Sequence, residues 1–185
     1  RGGVKLAHAL DTFQLNVEGK ICLDVGSSTG GFTDCLLQHG AHSVYAVDVG
    51  YGQLANSLRT DPRVVVFERT NARYPFDLPG ESDGKGIDFA TVDVSFISLE
   101  KILPSVASHL KPGSCLLPLI KPQFQARRSE VGRRGVIRDP IVHADVLARV
   151  LRWAVDQGYR IRGLVPSPLL GDAGNREFFL HLEIP

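Results

Sequence analysis

Residues 24–34 read DVGSSTGGFTD and follow directly on the apolar residues Ile21, Cys22 and Leu23, with glycines at positions 26, 30 and 31. Glycine lets a backbone turn tightly and approach a ligand closely. A helix that begins after such a turn presents free N–H groups to polar or anionic groups. The stretch therefore predicts a buried strand, a ligand-binding turn and a helix. A tight connection that binds nothing is the alternative interpretation.

Seven short apolar runs predict strands. They lie at residues 21–25, 43–47, 64–67, 87–92, 115–120, 161–165 and 178–182. Amphipathic stretches between most of them predict helices, such as the runs of helical spacing over 32–39 and 99–110. The clearest helix, residues 141–157, follows Asp139 and Pro140 and ends at Gly158.

This alternation of strands and helices predicts an α/β fold with a mostly parallel seven-stranded sheet and helices on both faces. No good helix separates the last two strands, so we expect the last strand to be antiparallel. The stretch PGESDGKG, residues 79–86, is expected to form a surface loop.

Length and composition are those of one ordinary globular domain. The chain has 185 residues, a net charge of +1, 43% hydrophobic and 22% charged residues. No apolar run approaches the roughly 18 residues of a membrane helix, and no signal peptide is visible. The chain begins at Arg1 and contains no Met, so we expect it to be a piece of a longer protein.

The cysteines and histidines suggest neither disulfides nor a metal site. Cys22, Cys35 and Cys115 are odd in number and form no CxxC pair, so we expect reduced, buried cysteines in a cytoplasmic protein. The six histidines show no metal-ligand spacing, so no metal is expected.

The glycine turn departs from two familiar nucleotide motifs. A P-loop needs lysine and Ser/Thr directly after the last glycine, but Phe32 follows Gly31. A dinucleotide fingerprint needs a middle glycine that is absent here. Asp48, at the end of the second strand, lies where an acidic residue binds ribose hydroxyls.

S-adenosylmethionine, with its ribose, adenine and small zwitterionic tail, matches this layout. The residues predicted to bind it are Asp24, Gly26, Ser27, Ser28, Gly30, Gly31, Phe32, Asp48, Val49, Asn71, Ala72 and Asp93. Asn71 follows the third strand, where it either meets the adenine edge or caps a loop; both interpretations stay open.

Four charged residues are candidates for the chemistry. Asp93 and Lys121 end the fourth and fifth strands, Glu177 opens the last strand, and Lys5 lies near the start. A lysine that is buried or lies beside a second cation loses its proton more readily and becomes available as a base. Four surface charges placed by chance are the alternative.

Residues that the sequence lacks limit which atom of a substrate could receive the methyl group. The stretch after the fourth strand, Asp93 to Phe96, lacks the two prolines of a motif typical of enzymes that methylate exocyclic amines. Carbon methylation of pyrimidines needs a cysteine nucleophile, and Cys115 begins a predicted strand at the wrong end. A site that has a base beside the methyl donor but neither a cysteine nucleophile nor a metal cluster favours a hydroxyl group as the methyl acceptor.

Six stretches resemble the TlyA (haemolysin A) family of ribosomal RNA 2′-O-methyltransferases over nearly the whole chain. They are RGGVKL, DVGSSTGGFTD, AVDVGYGQL, VDVSFISL, LIKPQF and GNREFFL. The resemblance implies an FtsJ-like domain over residues 1–185 with a class I, Rossmann-like methyltransferase fold. It also implies a preceding S4-like RNA-binding domain that this sequence does not contain.

The same resemblance implies a Lys-Asp-Lys-Glu catalytic tetrad on Lys5, Asp93, Lys121 and Glu177. In that tetrad Lys121 would activate the 2′-hydroxyl for in-line attack on the sulfonium methyl. The implied substrate is cytidine in small- and large-subunit ribosomal RNA, so ribosomal RNA or ribosomal subunits are the expected partners.

A second candidate RNA contact is the basic segment, which we define as residues 121–138. It carries six basic residues against Glu130 alone, and Gly132 and Gly135 favour a loop. Such a cluster can hold a phosphate backbone; a solvated loop is the alternative. The residues predicted to contact RNA are Arg127, Arg128, Arg133 and Arg134.

Two aromatic residues near the predicted donor site have open roles. Tyr51 and Phe96 are candidates for stacking on adenine or on a flipped base. For Phe96, packing in the core is the favoured interpretation.

Two other functions compete with methyl transfer. The family name suggests a haemolysin, but the polar face of residues 141–157 suits a surface helix of a globular domain. A catalytically silent RNA-binding assembly factor with the same fold is the third hypothesis. We expect no membrane association, and a monomer or weak dimer.

Overall fold

A computed structural model of the chain describes residues 1–79, 86–171 and 173–185. Its helices are α1 Gly2–Phe13, α2 Gly31–Gln38, α3 Asn56–Arg59, α4 Leu103–Ala107, α5 Pro122–Gln125 and α6 Pro140–Asp156. Its strands are β1 Ile21–Val25, β2 Ser43–Val47, β3 Val64–Phe67, β4 Ile87–Val92, β5 Leu110–Ile120, β6 Arg160–Pro166 and β7 Phe178–Glu183.

The strands form one sheet in the order β3-β2-β1-β4-β5-β7-β6. Strands β1 to β5 pair in parallel, and β7 lies antiparallel between β5 and β6. The predicted seven-stranded, mostly parallel sheet with an antiparallel last strand is confirmed. The strand order reverses between β1 and β4, and the crevice at the carboxyl ends of these strands is where ligands bind in such sheets.

Two hydrophobic clusters cover the two faces of the sheet. One contains buried residues of α1 and α2, among them Leu10 and Leu36. The other contains buried residues of α4 and α6, among them Leu103 and Val150. Because helices cover both faces, the ends of the strands and the loops there remain open to a ligand.

Helix α6 forms for the reasons that the sequence indicates. The Asp139 side chain accepts a hydrogen bond of 2.8 Å from the Ile141 amide at its start, and Pro140 occupies the first turn. Gly158 follows its end with φ of +87°, a conformation that glycine adopts without strain.

Three features differ from the sequence-based expectations or lie beyond them. Helix α1 was not expected, although Leu6, Ala9 and Leu10 have helical spacing and are buried. Leu110 does not end a helix but begins β5, which starts five residues before the predicted strand. The predicted surface loop at residues 79–86 lies, apart from its two end residues, outside the described residues.

Candidate active site

The glycine turn brings β1 against β4. Gly26 has φ of +83°, and a Cβ there would collide with the carbonyl oxygen of Asp93. Gly30 precedes α2 with φ of +101°, and a Cβ there would meet the side chains of Leu54 and Leu58. Gly26 thus brings the turn close to Asp93, whereas Gly30 makes room for packing against α3.

Asp24 lies beneath this turn and is fully buried. Its carboxylate accepts hydrogen bonds from Thr33 Oγ1 at 2.7 Å and Thr91 Oγ1 at 3.0 Å. Burial raises the pKa of Asp24 to about 6, although both hydrogen bonds act in the opposite direction. The residue joins β1 to α2 and β4, and it lines neither of the two cavities described next.

Two adjoining cavities open at the carboxyl ends of the strands. The tetrad cavity, of about 290 Å³, is lined by Lys5, Asp93, Lys121 and Glu177 and by part of the glycine turn. The Asp48 cavity, of about 490 Å³, is lined by residues that follow β1, β2, β3 and β4. Gly26, Ser28, Asp93 and Ser95 line both cavities, so the two meet at the end of β4.

The tetrad residues form two short ion pairs. Lys121 Nζ lies 2.6 Å from Asp93 Oδ1, and Lys5 Nζ lies 2.6 Å from Glu177 Oε2. Glu177 is 3% exposed and the Lys5 side chain 12%, so their charges are largely desolvated and depend on each other. The four residues that the sequence singled out come from α1 and from the ends of β4, β5 and β7, and the fold brings them into one cavity.

Several of the predicted donor-binding residues line the Asp48 cavity. Asp48 accepts hydrogen bonds of 2.7 Å from the amides of Ser28 and Gly50, which hold its carboxylate at the cavity wall. Asn71 also lines the cavity, and its Oδ1 accepts a hydrogen bond of 3.1 Å from the Arg73 amide. Asn71 therefore caps a loop and faces the cavity at once.

Most of the predicted donor-binding residues line one cavity or the other. Those that do are Gly26, Ser27, Ser28, Gly31, Phe32, Asp48, Val49, Asn71, Ala72 and Asp93. Asp24 and Gly30 do not line either one. They support the glycine turn from its buried side, Asp24 by binding Thr33 and Thr91 and Gly30 by packing against Leu54 and Leu58.

Among the cavity residues that the sequence did not predict, Ser95 lies nearest to the tetrad chemistry. Ser95 lies two residues after Asp93, and its hydroxyl is 3.0 Å from Lys121 Nζ. Its position directly after the fourth strand was the available signal. Lys121 is thus held by a carboxylate and a hydroxyl together.

The core interpretation of Phe96 is wrong. This side chain is 91% exposed, its φ is +63°, and its ring centroid lies 4.9 Å from that of Phe124. A positive φ at a non-glycine residue turns the chain sharply after β4, which directs the ring away from the core and to the rim of the Asp48 cavity. Tyr51 is also exposed, with the Arg69 guanidinium 4.2 Å over its ring.

The cysteines are buried and free, as expected. Cys115 lies within β5 rather than at its start, and burial raises the pKa of its thiol to about 12. It stays protonated at neutral pH and lines neither cavity, so it does not suit a nucleophilic role.

The basic segment follows Lys121 and is largely irregular. It contains α5 and short 3₁₀ turns at 128–130 and 133–135. Arg127, Arg128 and Arg134 are exposed, whereas the side chain of Arg133 lies outside what the structure describes. Arg149 of α6 binds Glu130 at 2.7 and 3.0 Å and lowers the pKa of that carboxyl to about 2.

The described parts of the chain contain no helix long and apolar enough to cross a membrane. Within the same residues, no group of three or more His, Cys, Asp or Glu side chains is placed to hold a metal ion.

Comparison with known proteins identifies relatives over the whole chain. The Bacillus subtilis protein named "Putative rRNA methyltransferase YqxC" is 56% identical over all of this chain and 65% of its own length. The 16S/23S rRNA (cytidine-2′-O)-methyltransferase TlyA of Mycobacterium tuberculosis is 48% identical over 98% of this chain and 67% of its own length. The chain thus spans about two thirds of the length of these relatives.

Solved structures agree with the fold. The "Putative hemolysin from Streptococcus thermophilus" superposes with a TM-score of 0.93 and 48% identity over all of this chain and 66% of its own. More distant S-adenosylmethionine-dependent methyltransferases from Mesorhizobium loti and Aquifex aeolicus, 16% and 20% identical, both reach a TM-score of 0.66 and show the shared fold alone.

The family model described as FtsJ-like methyltransferase matches residues 1–184. Together with these relatives, the match shows that the chain belongs to the FtsJ-like methyltransferase family, in the group that includes TlyA and haemolysin A.

Proposed function

We propose that this domain, residues 1–185, transfers a methyl group from S-adenosylmethionine to a ribose 2′-hydroxyl of ribosomal RNA. The observation that carries the proposal is the pairing of Lys121 with Asp93 and Lys5 with Glu177 in a cavity that opens into the Asp48 cavity. A basic group therefore stands beside a pocket suited to a ribose.

The residues present fit the proposed donor. Asp48 can accept ribose hydroxyls, Val49 and Ala72 offer apolar contacts to adenine, and Asn71 offers polar ones. The amides of the glycine turn would meet the small polar tail. Bound S-adenosylmethionine would supply a methyl group on a positively charged sulfonium.

Lys121 is the proposed base. Its neutral amine would take the proton of the 2′-hydroxyl, so that the oxygen can accept the methyl group. Asp93 and Ser95 hold the amine in place at 2.6 and 3.0 Å. The second ion pair, between Lys5 and Glu177, lies in the same cavity.

The acceptor is proposed to be RNA because of the basic segment that begins at Lys121. Arginines there suit phosphate contacts that fix position rather than sequence. Phe96, on the rim of the Asp48 cavity, and Tyr51, which is exposed but lines neither cavity, would stack on adenine or on the target base. Cytidine is the proposed nucleoside because the Mycobacterium tuberculosis relative is named for it; a ribosomal substrate implies a cytoplasmic enzyme.

The test is methyl incorporation into ribosomal subunits that lack the modification. The full-length protein and its Lys121→Ala variant would be incubated with subunits and tritium-labelled S-adenosylmethionine. We expect the variant to lose about 100-fold or more of the rate, which is the usual contribution of a general base, and to bind the donor as before.

Lys111→Ala is the matched control. Lys111 forms a comparable ion pair with Asp88 at 2.7 Å. It lies near the start of β5, at the end of the strands opposite to the cavities. It should retain full activity. Undiminished incorporation by Lys121→Ala would exclude Lys121 as the base.

A further inference from the structure

A buried amide stands between the basic segment and the tetrad. The Asn175 side chain is 1% exposed. Its Oδ1 accepts a hydrogen bond of 2.9 Å from the Ile137 amide, and its Nδ2 donates one of 2.9 Å to the Gly135 carbonyl. Both polar groups are therefore matched to backbone groups about forty residues earlier in the chain.

The backbone around Asn175 is fixed on the tetrad side as well. Glu177, two residues later, binds Lys5 at 2.6 Å. The Asn175 carbonyl accepts a hydrogen bond of 2.9 Å from the Gly171 amide, and the Glu177 carbonyl accepts one of 2.8 Å from the Ser167 amide. A Cβ at Gly171 would collide with Glu177 Oε1, so this turn fits closely around the carboxylate.

The two ends of the basic segment are anchored differently. Near its start, the Gln125 side chain accepts a hydrogen bond of 3.0 Å from the Leu99 amide, and Glu130 binds Arg149. Near its end, the Asn175 side chain binds the Ile137 amide and the Gly135 carbonyl, and Ile137 itself is 4% exposed. The placement of residues 134–137 thus depends on Asn175.

Asn175 cannot itself contact a substrate, because it is buried and its hydrogen-bonding groups are occupied. A buried polar side chain with both functions satisfied fixes the geometry of the segments that it joins. Here those segments are the proposed RNA contact and the strand that begins with the tetrad glutamate.

We propose that Asn175 is a positioning residue that couples the basic segment to Glu177, so that RNA held by the arginines meets a correctly placed tetrad. The inference rests on the proposed function, because it assumes that the segment binds RNA. It also makes a statement about the free protein, which can be tested without any substrate.

Two substitutions separate the two hydrogen bonds. Asn175→Ala removes both of them. Asn175→Asp keeps the acceptor for the Ile137 amide but has no donor for the Gly135 carbonyl. Amide hydrogen exchange of the free protein should therefore show protection at Ile137 in the wild type and in Asn175→Asp, and loss of protection in Asn175→Ala.

The coupling is measured with RNA. We expect Asn175→Ala to bind ribosomal RNA roughly tenfold more weakly, as befits two lost hydrogen bonds, and to methylate it more slowly at saturating RNA. Its affinity for S-adenosylmethionine should not change. Arg134→Ala should weaken RNA binding alone, and the double variant should lose less affinity than the two single changes predict, because both act through the same segment.

Asn16→Ala is the control for the loss of an asparagine cap, here at an exposed position. Asn16 accepts one hydrogen bond of 2.9 Å, from the Glu18 amide, in the turn before β1, and its change should alter neither RNA binding nor rate. If Asn175→Ala matches the wild type in RNA affinity and rate, or if its loss adds fully to that of Arg134→Ala, the coupling is refuted. A wild type that methylates no RNA would instead refute the proposed function, and this inference with it.

Discussion

At the scale of single residues, Gly26 determines how close the glycine turn lies to the tetrad. Its φ of +83° and the position of the Asp93 carbonyl leave no room for a side chain. The tetrad aspartate and the glycine turn therefore depend on a single missing methyl group.

Replacing Gly26 with alanine should impair donor binding and destabilise the domain by roughly 1–3 kcal/mol, the range for a strained backbone position. Calorimetric titration with S-adenosylmethionine and urea denaturation would measure the two effects. Gly19→Ala is the matched control, since Gly19 also has positive φ, +69°, but no atom within 4 Å of its would-be Cβ. Equal donor affinity in the wild type and Gly26→Ala would contradict this account.

Asp24 makes the stability of the site depend on pH. Burial raises its pKa to about 6, from the ordinary 3.8 of an aspartate. Between these two values the folded state holds a proton that the unfolded state has lost, so stability falls as pH rises. The contribution is complete below the lower value and is gone above the higher one.

Asp24→Asn should abolish this dependence. The variant cannot ionise, so its stability relative to the wild type should improve by roughly 2 kcal/mol between about pH 4 and about pH 7. Urea denaturation of both proteins at the two pH values gives the difference, in which other titrating groups cancel. A difference that is independent of pH would show that Asp24 ionises normally in the folded protein.

The sequence placed Asp93, Lys121 and Glu177 at strand ends, and most of the proposed donor-binding residues also follow strands, which end together at one side of a parallel sheet. For Lys5, which lies in α1, strand ends gave no such indication. The sequence did not predict what a side chain does after a turn. Phe96 is hydrophobic and follows a buried strand, but its positive φ turns it outward. Asp24 belongs to the same motif as the cavity residues, yet strand alternation places it below them, between two threonines.

At the scale of elements, the basic segment carries both the proposed RNA contacts and, at its first residue, the proposed base Lys121. It begins at Lys121, at the end of β5, and its conformation is set by contacts with α6 and Asn175. These long-range contacts could not be read from its composition, which indicated only a charged loop.

Arg133→Ala with Arg134→Ala should weaken RNA binding and flatten its salt dependence. Two lost phosphate contacts would reduce the slope of log affinity against log salt by roughly 1.4 to 1.8, with donor binding intact. Filter binding over a series of salt concentrations measures the slope.

Arg160→Ala with Arg162→Ala provides the control of equal charge. These arginines bind Glu183 at the end of the strands opposite to the cavities. Their loss should therefore leave the slope nearly unchanged. The same slope in the Arg133 and Arg134 double variant and in the wild type would remove this segment from the RNA contact.

Helix α1 shows where periodicity alone was insufficient. It carries Lys5, and its Leu6, Ala9 and Leu10 are buried against α2 and the sheet. Two glycines at its start disfavour a helix. Close packing explains them, because a Cβ at Gly3 would lie 3.2 Å from the Gly31 carbonyl oxygen. Glycine therefore lets α1 approach the glycine turn.

At the scale of the whole molecule, the sheet order determines the site. The reversal between β1 and β4 opens the crevice, and the antiparallel β7 directs its first residues to the same edge. Glu177 reaches the tetrad only because β7 runs opposite to its neighbours. Alternating strands and helices predicted this architecture, whereas the insertion of β7 between β5 and β6 required the structure.

The most direct test of the central claim is the position of the transferred methyl group. Ribosomal RNA labelled by the full-length protein and tritiated S-adenosylmethionine would be digested to nucleosides and separated by chromatography. We expect label in a 2′-O-methylated nucleoside, which is cytidine by the proposal above, and its loss in Lys121→Ala. Label in a methylated base would contradict the tetrad mechanism, even with the fold and the donor unchanged.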